Sequence, residues 1–240
     1  MRVARLPLRD SPRARWTRLA GWASQAPLSF PLFATADLSR ATRTPQGWLA
    51  ERRREGAIAT VAPGLHVVVP RDADPEWQPD PVQVAWLLAA RTFGAVWPYV
   101  SGISAAALHG VCEPWGREVH VTVPRQMRDR DLPGISAVVR FHQRHESRIG
   151  WPPNNRIPAR PAPAGPVLDT KPGDLCTVRY TSRIQTALDL MHSPERSGVG
   201  ESALAVAQAL ILDVPTRDVM TTASGQRRKR AYERLRGVRA

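Results

Sequence analysis

Hydrophobic positions along the first seventy residues change period several times. Across residues 13–25, Trp16, Leu19, Ala20 and Ala23 recur at i, i+3, i+4 and i+7, the spacing of one helix face. A breaker runs from Pro27 to Pro31. Phe33 and Ala34 suit a short strand, and Thr35 is placed to cap a helix over Ala36–Arg40. Thr44-Pro45 then reads as a helix start: a hydroxyl cap, followed by proline where its missing N–H costs nothing. That helix is expected to end near Glu55, before Gly56. The β-prone runs Ala57–Val61 and Leu65–Val69 flank Ala62-Pro63-Gly64, which predicts a hairpin. Helix, short helix, turn, helix and hairpin is the order of a winged helix-turn-helix.

Four prolines and four acids fall within residues 70–81, which places a linker at 72–81. Beyond it, Val82–Arg91 is apolar and helical. Ser104 to Gly110 reads as a short helix capped by Ser104. Val119–Val123 and Ala137–Phe141 are strand-like, with 125–134 as a polar loop between them. The proline-rich stretch 151–174 reads as a long surface loop without a packed element. Cys176–Thr181 is strand-like, and Ser182 with Gln185 suggests a capping box ahead of the stripe Ile184, Ala187, Leu188 and Met191. An alanine-rich helix is expected over 200–212. The basic end is expected to be a helix or an arm. The domains are therefore 1–71, 82–225 and a basic tail, 226–240. The fold class is α+β: an N-terminal winged helix-turn-helix followed by a mixed α/β domain.

Charge sharpens this picture. The 240 residues carry a formal charge of +13, and only Lys171 and Lys229 are lysine. Residues 1–71 hold a surplus of eight positive charges, residues 226–240 a surplus of six, and the middle is close to neutral. A neutral body between basic ends points to a polyanion partner. No apolar run approaches the roughly 20 residues of a membrane span. The N-terminal residues lack the apolar stretch of a secretory signal, and two cysteines without a pairing pattern suit a reducing compartment. A cytoplasmic protein with no membrane partner is expected.

A recognition helix buries one face and offers the other to base edges. At 100° per residue, Trp48, Leu49 and the stem of Arg52 share the buried side. Arg43 (from the preceding turn), Gln46, Gly47, Ala50 and Arg54 lie opposite, with Arg53 on the flank and Thr44 at the cap. Arginine can contact guanine bidentately, glutamine can do so to adenine, and the helix start favours phosphate. These seven residues are the candidate DNA contacts. Arg2, Arg5 and Arg9 are expected to add phosphate or minor-groove contacts. His66 is expected to pack within the wing.

Several stretches together resemble the AbiEi-type family of antitoxin transcriptional regulators of type IV toxin–antitoxin systems. They are Thr44–Pro70, with the helix, glycine and wing; Val100–Val111, with its Ser-Ala-Ala-x-Leu-His-Gly order; Arg117–Arg125; and Tyr180–Met191. The chain departs from that pattern at Gln185, where arginine is usual, and at Gln208, where aspartate is common. The resemblance implies a winged helix that represses its own operon by binding double-stranded operator DNA. It also implies a second domain that counteracts a nucleotidyltransferase-like toxin. The alternative is a winged-helix protein-interaction module that binds the toxin with little specific DNA affinity.

Enzymatic chemistry finds little support in the sequence. A nucleotidyltransferase needs Gly-Ser followed by paired carboxylates for Mg²⁺. The chain has no Gly-Ser dipeptide, and Asp72/Asp74 and Asp129/Asp131 fall in polar stretches. Asp169-x-Lys171, the possible nuclease element, falls in the proline-rich segment. His142/His145 and His109/Cys112 lack the second pairs that a zinc site requires. No catalytic residue, metal site or cofactor is expected.

Overall fold

A computed structural model of the chain describes residues 31–39, 42–114, 116–144 and 165–237. The expected helix at 13–25, the arginines at 2, 5 and 9, His145 and residues 151–164 lie outside these. The protein is α+β. It divides into two compact units, the first ending at Pro79 and the second beginning at Asp80.

The first unit is built on strand β1 (Leu32–Ala34), helices α1 (Thr35–Leu38) and α2 (Pro45–Arg54), and strands β2 (Ile58–Ala62) and β3 (Leu65–Val68). The strands form an antiparallel sheet in the order β1-β3-β2. Phe33, Leu38, Leu49 and Ile58 form its buried cluster, flanked by Trp48 and Val68. The capping residues differ from those expected. Ala34 occupies the cap position of α1, and its N–H donates to the Asp37 carboxylate at 2.7 Å. Thr35 instead contacts His66: its hydroxyl lies 3.0 Å from His66 Nε2, while the Thr60 hydroxyl lies 3.0 Å from Nδ1. His66 is therefore packed, and burial followed by the charge of Arg53 lowers its pKa. Thr44 stands at the cap of α2 without making a side-chain cap bond. Gly56 follows that helix at φ +67°, a conformation that glycine adopts freely.

In the second unit, Asp80 starts helix α3 (Pro81–Phe93). Its Oδ1 accepts from the Val82 N–H at 2.8 Å and its Oδ2 from the Gln83 amide at 3.1 Å. The last two residues of the expected linker thus open a helix. The chain continues through β4 (Tyr99–Val100), α4 (Gly102–Leu108), β5 (Glu118–Val123), β6 (Arg130–Leu132), β7 (Ala137–Gln143), β8 (Leu168–Lys171), β9 (Val178–Thr181), α5 (Arg183–His192) and α6 (Ala203–Leu210). Helices α7 (Thr216–Gly225) and α8 (Lys229–Gly237) complete the unit. The sheet is mixed, in the order β6-β7-β5-β4-β9-β8. β5 pairs parallel with β7, and β4 parallel with β9.

Two strands arise where loops were expected. β6 forms on β7 within the polar stretch 125–134, and β8 forms on β9 within 151–174. Both are edge strands with mostly exposed residues, so neither carries an apolar pattern. Ser101, not Ser104, holds the cap position of α4. Ser104 lies inside the helix, and its hydroxyl accepts the His120 backbone N–H at 2.9 Å. His109 Nε2 donates to the Thr181 carbonyl at 2.8 Å, and the ring packs against Tyr180. The Ser-Ala-Ala-x-Leu-His-Gly segment therefore ties one helix to two strands.

The basic C-terminal segment is not a free tail. Ala231 and Leu235 of α8 are buried in the same apolar cluster as Leu188, Leu190, Leu210 and Val219. Asp189 pairs with Arg228. Only half of the expected capping box forms. Ser182 accepts from the Gln185 N–H at 3.4 Å, but the Gln185 side chain turns to Asp189, at 2.9 Å, and to Gln226.

The stacked pair of the buried His120 and the half-buried His142 should make this unit acid-sensitive. Their rings stack with planes 7° apart, and His120 Nδ1 lies 2.8 Å from His142 Nε2. Two neutral rings can share that hydrogen bond, whereas two imidazoliums repel. Burial and then His142 hold the pKa of His120 down to about 4, against the opposing pull of Glu118. Arg140 and the Arg196 segment also face this ring, and His142 is lowered by burial as well. With the folded pKa below the ordinary 6.5, this stability is complete above about pH 6.5 and drains as the pH falls toward 4. The loss is on the order of 3 kcal/mol for His120. Thermal melts near neutrality and near pH 5 measure it; an unchanged transition for the second unit would exclude the effect.

Candidate nucleic-acid interface

Helix α2 has a sharply divided surface. Leu49 is 1% exposed and seats the helix on Phe33, Leu38 and Ile58. Trp48, expected to be buried, is only half-buried. It meets Phe33 edge-on at 6.3 Å, and the Arg52 guanidinium lies over its ring at 5.7 Å. Arg52 also pairs with Glu55 at 2.5 Å and with Glu51 at 3.2 Å. Its charge is thereby satisfied within the helix.

The remaining face is solvent. Arg43, Thr44, Gln46, Gly47, Ala50, Arg53 and Arg54 are all exposed. Among the described residues, Arg43, Arg53 and Arg54 form no ion pair, so three guanidiniums keep their full donor sets. The same exposed surface carries the longer Gln46 and the small Gly47 and Ala50.

Gly47 is informative. A Cβ built there would meet only the Thr44 Cβ and hydroxyl, both at 3.8 Å, which is ordinary contact. Glycine in a helix interior costs up to about 1 kcal/mol relative to alanine. Packing within the unit thus gives no reason for a glycine at this position. The hairpin tip contributes Pro63 and Gly64, both exposed, and no cation.

Asp129 accepts from the Phe141 N–H and pairs with Arg140, which also holds Glu118. Asp169 and Lys171 lie on the exposed edge strand β8. Cys112 and Cys176 are free; burial, then Asp80, pushes the Cys176 thiol up to about 12. Among the described residues, no three His, Cys, Asp or Glu side chains gather as a metal-binding group, and no helix is long and apolar enough to cross a membrane. Sequence reasoning missed α7 and the attachment of α8 by Arg228 and Arg234. Val219 and Ala223, four residues apart and both buried, were the available signal for α7.

No protein-family model matches the chain, and no curated protein matches it. Among solved structures, the chain is similar to the crystal structure of the RV2827C protein from Mycobacterium tuberculosis. The two are 17% identical with a TM-score of 0.50, and the alignment covers 90% of this chain and 76% of that one. At that identity the likeness concerns the fold alone.

Proposed function

We propose that this protein is a DNA-binding transcriptional regulator of antitoxin type, whose first unit acts as a winged helix-turn-helix. The observation that carries the reading is the outer face of α2. Three unpaired arginines surround Gln46, Gly47 and Ala50 on a helix firmly seated by Leu49. The strand, two helices and hairpin that follow one another in this unit support it, as does the surplus of positive charge in residues 1–71. The resemblance of Thr44–Pro70, Val100–Val111 and Tyr180–Met191 to AbiEi-type regulators extends the proposal to a partner. The second unit would then counteract a nucleotidyltransferase-like toxin.

The test is binding to the DNA just upstream of the protein's own gene across a salt series. Specific binding should weaken steeply with salt, because each neutralised phosphate releases counterion. Equal affinity for random DNA would remove operator recognition. Binding confined to the toxin would favour the protein-interaction alternative, which the uncharged hairpin tip suits.

Individual substitutions give sharper outcomes. Gln46→Ala or Arg54→Ala should cost about 1–3 kcal/mol of operator affinity and relax preference at one base position. Arg53→Ala should weaken binding to every sequence and lower the salt slope by about one. Gly47→Ala should raise the melting temperature of the first unit while weakening DNA binding, because the new methyl faces the partner. A Gly47→Ala variant that binds as tightly as the parent would remove this helix face from the interface.

A further inference from the structure

Helix α8 is anchored along one side and basic along the other. Ala231 and Leu235 are buried in the core of the second unit. Arg228, just ahead of the helix, pairs with Asp189, and Arg234 donates to the Met191 carbonyl at 2.7 Å. These contacts fix the rotation of α8. At about 100° per residue, Lys229, Arg230, Glu233, Arg236 and Gly237 share a sector of roughly 120° centred opposite the two buried residues. All five are exposed. Arg227 stands just before the helix, also exposed, with φ +56°. Among the described residues, Lys229 meets Glu233 at 3.7 Å, whereas Arg227, Arg230 and Arg236 form no ion pair.

The stability of α8 does not account for these cations. Lys229 and Arg230 lie in its first turn, which contains no acid, and positive charge there opposes the helix dipole. A firmly seated helix face with three cations to one acid is complementary to a polyanion. Lys229 to Arg236 spans about 10 Å of helix, a length over which duplex DNA carries about six phosphate charges. The sector holds no apolar side chain, which a membrane surface or the core of a protein interface would use. We propose that this face of α8, together with Arg227, binds the phosphate backbone of duplex DNA without reading its bases. The choice of duplex DNA rests on the reading of the first unit, but the residues are separate from those of α2.

The test uses the full-length protein and a fluorescent random-sequence duplex, titrated by anisotropy across a salt series. The pair Arg230→Gln and Arg236→Gln should weaken binding about tenfold or more and lower the salt slope by about two. The pair Arg230→Lys and Arg236→Lys keeps the charges and should retain most of the affinity. The pair Arg128→Gln and Arg217→Gln removes as much charge from other exposed positions of the second unit and should change little. Preference for the operator over the random duplex should persist in the α8 glutamine pair and fall in Gln46→Ala, so the two DNA contacts can fail separately. Melts establish that each variant is folded; if the glutamine pair is not, its single substitutions decide. Unchanged duplex affinity in the folded glutamine pair, an equal loss in the control pair, or a lysine pair as weak as the glutamine pair would overturn the proposal. So would a loss confined to vesicles of anionic lipid, with duplex binding kept.

Discussion

Leu49→Ala should lower the stability of the first unit by about 2–5 kcal/mol, the range for truncating a large buried aliphatic side chain. Leu49 is 1% exposed and joins α2 to Phe33, Leu38 and Ile58. The cost lies high in that range where neighbours cannot collapse into the gap, and here Phe33 and Ile58 are held on paired strands. Small units have little stability to spare. Trp48→Ala should cost less, because its ring is half-exposed and shares its face with Arg52. Amide hydrogen exchange in β2 and β3 reads the effect locally. Gln46→Ala serves as the contrast, altering DNA affinity with exchange unchanged. Should Leu49→Ala leave β2 and β3 fully protected while Gln46→Ala exposes them, α2 would have to be rotated by half a turn.

Gly198→Ala should destabilise the second unit by roughly 2–6 kcal/mol through two effects that add. Gly198 sits at φ +82°, where a non-glycine residue carries strain of about 1–3 kcal/mol. Its Cβ would also lie 2.5 Å from His120 Nε2, 2.9 Å from His120 Cε1 and 3.1 Å from Ile103 Cγ2. His120 cannot retreat, because its ring stacks on His142 and its backbone N–H is held by Ser104. Overpacking of this kind adds about 1–3 kcal/mol. Gly110→Ala separates the two contributions, since Gly110 has φ +73° but nothing within 4 Å of its Cβ. Chemical denaturation of the three proteins should place Gly198→Ala well below Gly110→Ala. Equal losses would mean that the contact with His120 relaxes at no cost.

Much of the candidate interface is legible in the amino-acid sequence, because it depends on short-range rules. Pro45 and Gly56 bracket α2, and the alternation around Pro63 and Gly64 makes a hairpin. A helix with one large aliphatic residue among arginines has only one face to bury. Leu49 therefore sets the rotation of α2, and the seven candidate residues fall on its exposed surface. The degree of burial of Trp48 is not legible there, since it depends on where Phe33 and the Arg52 ion pairs come to lie.

Neighbouring residues suffice for the elements whose ends and faces are written locally: α2 with its hairpin, α3 behind Asp80-Pro81, and the apolar strands β5 and β7. The rest follows from long-range packing. The polar segments Arg130–Leu132 and Leu168–Lys171 become strands only because β7 and β9 offer unpaired backbone edges. Ser104 becomes a buried acceptor, not a cap, because β5 brings the His120 N–H to it. The arginines at the C-terminal end read as a solvated charge run. Ala231 and Leu235 find a core, and Asp189 and the Met191 carbonyl, some forty residues earlier, find Arg228 and Arg234. Local propensity acts over a helical turn or a hairpin, whereas these contacts join groups that only the assembled sheet and helices bring within reach.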